Sequence, residues 1–155
     1  MTTKSFRRLL ASAALILAAT PAVADGPFRF YPLTPCRLID TRSAQPPAMD
    51  GSTTGSTREF KIRGTCGLPA DAKAAALNVT VATPTKKGHI RAFPSDIARP
   101  NISTLNFAGG ENAVANGAII PMPADTASVN DVAFFLYMVE PGTGHLVVDV
   151  TGYFK

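Results

Sequence analysis

Apolar and polar residues alternate along much of the chain, and a period of two is typical of β-strands with one buried face. Between Leu77 and Val81, leucine and valine alternate with Asn78 and Thr80. The same criterion predicts nine short strands, at 28–33, 36–41, 58–63, 77–81, 88–93, 103–107, 113–121, 132–139 and 146–153. Many short strands between turn residues predict an all-β fold, an antiparallel β-sandwich, with a jelly-roll or a barrel as the alternative.

One predicted strand, 132–139, is apolar on both faces, which indicates a central position in a sheet. Such a strand needs cover on each side. The sandwich interior covers one side, and either a loop or a partner subunit covers the other. The apolar residues of this strand are therefore a candidate interface between copies of the chain, namely Phe134, Phe135, Leu136 and Tyr137.

Two segments do not follow the strand pattern. The alanine-rich stretch Ala70 to Ala76 is the best helical candidate, and we expect at most one turn there. The segment 43–57 is rich in Ser, Thr, Gly and Pro with almost no large apolar side chain, so burial cannot offset the entropy of ordering it. We expect a long mobile loop over 43–57.

The N-terminus has the three parts of a bacterial-type signal peptide. A basic start is followed by an apolar run over 9–19 and by the small-x-small sequence Ala22-Val23-Ala24. The apolar run is shorter than the roughly 20 residues that span a bilayer. We expect cleavage after Ala24, export of a single domain over 25–155 without a transmembrane segment, and a location in the periplasm, at the cell surface or outside the cell.

Charge and cysteine content narrow the function classes. Three of the 15 Lys and Arg lie in the expected signal peptide, so 12 remain against 11 Asp and Glu. That balance gives no basic surface for a nucleic acid. Cys36 and Cys66 are the two cysteines. In an oxidising compartment we expect them to form a disulfide, while a pair of metal ligands is the weaker alternative.

An ordered set of short motifs resembles a family of exported bacterial β-domains that occur repeated or appended in large secreted and surface proteins. The resemblance spans about residues 29–154 and implies an exported β-fold, without implying an enzymatic activity or a set of binding residues. This chain carries one copy. The matching segments are Arg37-Leu38-Ile39-Asp40-Thr41-Arg42, Leu77-Asn78-Val79-Thr80-Val81, Arg99-Pro100 with Ser103 and Leu105-Asn106-Phe107, and Asp149-Val150-Thr151-Gly152-Tyr153-Phe154.

Five polar residues in strand-like surroundings make up a candidate binding site: Asp40, Arg42, Asn78, Asn106 and Asn116. Asp40 and Arg42 lie two apart on a predicted strand and so share a face. They either bind a ligand or form an ion pair that fixes strand register, and we favour the ion pair. The asparagines either line a sugar-binding groove or bond to loop carbonyls, and we favour the loop bonds.

The chain contains no nucleophile-elbow, zinc-protease, phosphate-loop or dinucleotide motif. We therefore expect no catalytic residues, no metal and no cofactor. The leading hypothesis is an exported, non-enzymatic structural or adhesion module of the envelope or cell surface, either self-assembling or bound to an extracellular polysaccharide. The alternative is a carbohydrate-binding module for a polysaccharide or cell-wall glycan. A small secreted hydrolase is the third hypothesis, and the missing motifs disfavour it.

Overall fold

The computed structural model describes residues 26–43 and 46–155, so the expected signal peptide lies outside the described residues. In these ranges the chain forms nine β-strands and no helix. The strands are β1 (Phe30–Asp40), β2 (Met49–Gly51), β3 (Ser56–Phe60), β4 (Ala74–Ala82), β5 (Gly88–Pro94), β6 (Leu105–Phe107), β7 (Ala113–Pro121), β8 (Val132–Met138) and β9 (Gly142–Phe154).

The strands form two antiparallel sheets, which confirms the predicted β-sandwich. The five-stranded sheet has the order β1-β9-β4-β7, with β2 paired to β9 beyond the end of β1. The four-stranded sheet has the order β3-β8-β5-β6. Strand β8 lies between β3 and β5, which confirms its predicted central position.

The core lies between the two sheets. It is built from the side chains at every second position of the strands, which point inward. Val79 and Val148 from the five-stranded sheet and Ile90, Phe134 and Leu136 from the four-stranded sheet are almost completely buried. Burial of each such side chain contributes about 1.5–3 kcal/mol to folding. The alternation in the sequence therefore decides which face of each strand points inward.

Strand β1 is one irregular strand where the sequence predicts two. Its register with β9 shifts between Pro32 and Cys36 and again between Arg37 and Ile39. Bulges of this kind allow pairing to continue past prolines, which lack an N–H and are tolerated at a sheet edge. The two predicted strands are consequently joined.

The alanine-rich stretch Ala70 to Ala76, where at most one turn is expected, contains one turn, in which the Ala72 N–H donates to the carbonyl of Pro69, and β4 begins at Ala74. Ala75 lies opposite Ile120 on one side and Tyr153 on the other, and it is fully buried. Pairing with a strand on each side outweighs the weak helical preference of alanine.

The segment 43–57, expected as one long mobile loop, is strand in part, because β2 lies within it and β3 begins at Ser56. Met49, the only large apolar side chain of this segment, is 1% exposed and anchors β2 in the core. Strand β2 pairs with residues 142–144 of β9. One buried methionine and one partner strand thus hold β2 in the sheet.

The predicted disulfide is confirmed. Cys36 in β1 and Cys66 in the segment after β3 form a disulfide with a Cα–Cα distance of 5.7 Å. Their sequence separation is 30 residues. The bond fixes an edge strand of the five-stranded sheet to a loop that leaves the four-stranded sheet.

A buried ion pair between Arg63 and Asp131 provides a second link. Arg63 Nη1 lies 2.8 Å from Asp131 Oδ1, and the N–H groups of Ile62 and Arg63 each donate to Oδ2 at 2.8 Å. The same guanidinium donates to the carbonyls of Ala72 and Pro123. Burial alone would raise the pKa of Asp131, but hydrogen bonds from these N–H groups outweigh it and hold the pKa below its usual value.

Candidate functional site

The side chains of β8 divide between the core and the outer face of the four-stranded sheet. Phe134 and Leu136 point into the core, where they are 0% and 1% exposed. Phe135 packs with Phe93 and Ala133 in a second cluster on the outer face and is only 3% exposed. Tyr137 packs at the border of that cluster and is partly exposed. The four residues expected to form an interface therefore do not make one exposed patch.

Two arginines cover Phe135 on the outer face. The guanidinium carbon of Arg99 lies 3.8 Å from the centre of the Phe135 ring, and that of Arg91 lies 5.5 Å from it. Arg91 also donates to the carbonyl of Pro100 at 2.9 Å, which ties the loop after β5 to the sheet. The sequence left either a loop or a partner subunit as the cover for the outer side of this strand. In the structure, the loop after β5 covers Phe135 through Arg99.

Next to these arginines, a histidine and a tyrosine stack on each other. The rings of His89 in β5 and Tyr137 in β8 lie 4.8 Å apart at 16°, because the two residues are opposite one another in the sheet. Arg91 Nε donates to His89 Nε2 at 3.1 Å, so the neutral ring carries its proton on Nδ1. Burial and the positive charges of Arg91 and Arg99 lower the pKa of His89.

This ring pair borders an open groove of about 650 Å³, which we call the Tyr137 groove. It lies where β5, β6 and β8 meet the turns at one end of the sheet. Its lining includes Lys87, His89, Asn106, Glu111, Tyr137 and Val139.

The groove combines the groups that orient a polar ligand. Lys87 supplies donors, Asn106 supplies both a donor and an acceptor, and Glu111 supplies an acceptor. Glu111 Oε2 accepts the N–H of Ala108 at 2.8 Å, which fixes the carboxylate in place. The ring pair adds a partly apolar wall. Sites for small molecules and sugars typically combine an apolar surface with a small number of polar groups that point into the site.

The five residues predicted as a polar binding site are not brought together. Asp40, Arg42 and Asn78 belong to the five-stranded sheet or its adjoining turn, whereas Asn106 is in β6 of the other sheet. Asn116 in β7 donates to the carbonyl of Thr104 at 2.7 Å, which is the loop contact that the sequence favours. Of the five, only Asn106 lines the Tyr137 groove.

Asp40 and Arg42 pair with one another at the end of β1. Arg42 donates to both carboxylate oxygens of Asp40, at 2.9 and 2.6 Å. Arg37 bonds to Asp40 at 2.8 Å and also to Asp149 on the neighbouring strand. The hydrogen bonds from Arg42 are the main reason that the pKa of Asp40 lies well below its usual value. This network joins β1 to β9 on the outer face and leaves neither carboxylate without a cation.

Sequence reasoning missed most of the Tyr137 groove. His89 resembles an ordinary residue at a strand end, and Lys87 and Glu111 lie in turns with no motif. One signal was available: His89 and Arg91 alternate with buried Ile90 on β5, so they share the outer face. The sequence did not reveal that Tyr137 lies opposite His89, since this depends on the pairing of β5 with β8.

Comparison of the chain with protein-family models, with curated proteins and with solved structures gave no match. Within residues 26–43 and 46–155, no group of three or more His, Cys, Asp or Glu side chains is placed to hold a metal ion. The same ranges contain no helix of the length and apolarity needed to cross a bilayer.

Proposed function

We propose that this protein is an exported, non-enzymatic carbohydrate-binding module and that the Tyr137 groove is its binding site. The observation that carries the proposal is the stacked ring pair of His89 and Tyr137 beside Asn106, Glu111 and Lys87. Sugars present apolar C–H faces together with a ring of hydroxyl groups. A wall of rings next to mixed donors and acceptors complements both features.

The composition of the groove suits binding more than hydrolysis. Glycoside hydrolysis uses a pair of carboxyl groups about 5–10 Å apart. Glu111 is the one carboxylate among the described residues that line the groove. Lys87 and the nearby Arg91 leave the surroundings positively charged, so acidic glycans are the preferred class of ligand.

A structural or adhesion role remains compatible with this proposal, since a module that holds an envelope polysaccharide is itself an adhesive element. Strand β8 offers little free apolar surface for self-assembly, because Arg99 already covers Phe135 and the core already covers Phe134. Binding therefore ranks above assembly through that strand.

Titration calorimetry of the purified protein with polysaccharides tests the proposal. The panel is a neutral β-glucan, a chitin oligosaccharide, an alginate and solubilised peptidoglycan. We expect binding to at least one, and we expect Tyr137→Ala and Glu111→Gln each to weaken it about tenfold or more, as for central contacts in other binding sites. Failure of every glycan to bind would overturn the proposal.

The matched control is Tyr31→Ala. Tyr31 stacks on Tyr153 at 5.1 Å and 13°, so it forms the same kind of ring pair on the five-stranded sheet. We expect this variant to bind normally. If Tyr31→Ala abolishes binding while Tyr137→Ala does not, the sugar site lies on the other sheet and the assignment of the groove is wrong.

A further inference from the structure

The edges of the two sheets are protected against pairing with another chain in all but one place. Among the described strands, β2 and β6 are edge strands of only three residues each. Edge strand β1 contains Pro32 and Pro35, and edge strand β3 carries Arg58 and Glu59. Short length, proline and charge are the usual devices that prevent edge-to-edge association.

Strand β7 has none of these devices along its length. It is nine residues long, contains no charged side chain, and has its one proline at the last position, Pro121. Its register with β4 runs without a bulge from Ala113 to Pro121. By the general behaviour of sheet edges, such a strand pairs readily with another strand.

The direction of the backbone groups of β7 follows from the bonds at its two ends. Thr83 donates to the carbonyl of Asn112, and Met122 donates to that of Lys73. Residues on an antiparallel strand bond alternately to the two sides. Even-numbered residues of β7 therefore bond to β4, and the N–H and C=O groups that point away from β4 belong to Ala113, Ala115, Gly117 and Ile119.

These four residues form what we call the β7 edge. Within the described ranges, no backbone hydrogen bond from outside the strand reaches any of them. Their side chains are small apart from that of Ile119, and all four are exposed. A Cβ atom added at Gly117 would meet nothing within 4 Å. The β7 edge therefore offers free backbone donors and acceptors without steric hindrance from its own side chains.

An apolar groove lies beside the β7 edge, between the strand and the loop that follows β5. It has a volume of about 360 Å³, and Ala118 and Ile120 form part of its lining. Ile102 and Ile119 at its sides are 68% and 61% exposed, which is unusual for isoleucine. An incoming strand would bury these side chains as it bonds to the edge.

We propose that the β7 edge binds the β7 edge of a second copy of this chain, in an antiparallel arrangement about a two-fold axis. In the register with the greatest overlap, Ala113 of one copy lies opposite Ile119 of the other, and Ala115 lies opposite Gly117. The two-fold axis repeats each of these pairs, and each of the four resulting pairs exchanges two backbone hydrogen bonds, about eight in all. The two five-stranded sheets become one continuous sheet.

The side chains suit this register on both faces. On the outer face, each Ile119 covers an alanine of the other copy, and Gly117 faces Ala115. On the inner face, Val114 of one copy points toward Ala118, which lines the apolar groove of the other. At the two-fold axis, Asn116 of one copy lies opposite Asn116 of the other. The strand contains no charged side chain of either sign. This self-complementarity favours a second copy over a different protein.

The pairing is closed and leaves the carbohydrate site free. A two-fold contact uses the same edge on both copies, so it produces a dimer and not a filament. No residue lining the Tyr137 groove belongs to β7. Loss of the dimer and loss of glycan binding are therefore separate outcomes, measured by different variants.

Light scattering of the purified, oxidised protein over a hundred-fold dilution series tests the proposal. We expect a mass that falls from dimer to monomer on dilution. Gly117→Pro removes one outward N–H without removing a bond to β4, and we expect it to be monomeric throughout. Gly117→Ala keeps that N–H and is the matched control, which we expect to dimerise as the wild type does.

Three further variants keep the test decisive. Ala115→Lys places a charge on the edge and should also give a monomer, which covers the case in which Gly117→Pro fails to fold. Asn116→Cys should form a disulfide-linked dimer on mild oxidation, while Ala115→Cys should do so far less. Only residue 116 lies opposite the same residue of the second copy. A monomer at every concentration, or a dimer that survives both edge variants, overturns the proposal.

Discussion

Asp131 places a carboxylate in the core, where an unpaired charge would be strongly destabilising. Its two oxygens are fully occupied, by the Arg63 guanidinium and by the backbone N–H groups of Ile62 and Arg63, with Lys61 at 3.2 Å. The carboxylate thus acts as the cap for a segment that lacks strand partners. Removal of the charge leaves Arg63 buried without its counter-ion.

We expect Asp131→Asn to lower the free energy of unfolding by about 3–5 kcal/mol, the usual result of breaking a buried pair from one side. Urea denaturation measures it. Glu140→Gln, at an exposed pair with Lys86, is the control and should change stability by less than about 1 kcal/mol. A change at Asp131 no larger than the control would contradict the assigned role.

The pH dependence of the wild type follows from the same residue. The pKa of Asp131 is lower in the folded protein than in the unfolded chain, so the unfolded chain binds the proton first as the pH falls. The stabilisation is complete above about pH 5 and is lost as the pH falls below about 4.

Folding also lowers the pKa of His89, so this residue changes stability with the same sign as Asp131 and at a higher pH. Burial and the charges of Arg91 and Arg99 favour its neutral form, so the unfolded chain binds a proton more readily and stability falls as the pH drops below about 6.5. We expect an NMR titration of the His89 ring to give a midpoint below 6.5, and Arg99→Gln to raise that midpoint. A midpoint that does not rise in Arg99→Gln would show that Arg99 does not act on this ring.

At the scale of the strand, the sequence shows which residues lie on each face, but it does not show which strand lies along each edge. The faces of β4 and β7 follow from alternation, which the sequence displays directly. The edges depend on neighbours. Strand β4 has a partner on each side and β7 has one, although both are nine residues long and rich in alanine. That difference makes β4 a central strand and leaves β7 with one unpaired edge.

The disulfide acts on strand β1, which has a partner only on one side. The bond between Cys36 and Cys66 closes a separation of 30 residues. In the chain-entropy account such a link stabilises the folded state by about 3–4 kcal/mol. We expect the free energy of unfolding, measured by urea denaturation, to fall by that amount on reduction, with Cys36→Ser plus Cys66→Ser behaving as the reduced wild type. Equal stability of the oxidised and reduced forms would refute this account.

At the scale of the whole molecule, the sandwich separates its two proposed activities. The Tyr137 groove belongs to the four-stranded sheet, and the β7 edge belongs to the five-stranded sheet. A dimer joined at β7 would carry two grooves. Two sites on one particle bind a polymer with higher avidity than either site alone, provided the polymer reaches both.

The fold class, the disulfide and the central position of β8 could be predicted from local patterns. Alternation reports which residues face the core, and an even cysteine pair reports a bridge. The sequence did not predict a strand at Ala74–Ala76 or at Met49, and both omissions have one cause. Both segments are weak strands on their own, and pairing with β9 orders them. Such long-range pairing leaves no local signal.

The amino-acid sequence by itself determined an all-β chain with inward and outward faces on each strand, because side-chain direction alternates with a period of two. Only the tertiary structure decided which strands are neighbours. That decision stacks His89 on Tyr137, moves Asn106 away from Asp40, and leaves one edge of β7 free. Strand order is set by packing across the whole core, so the candidate sites that depend on it follow from the folded molecule.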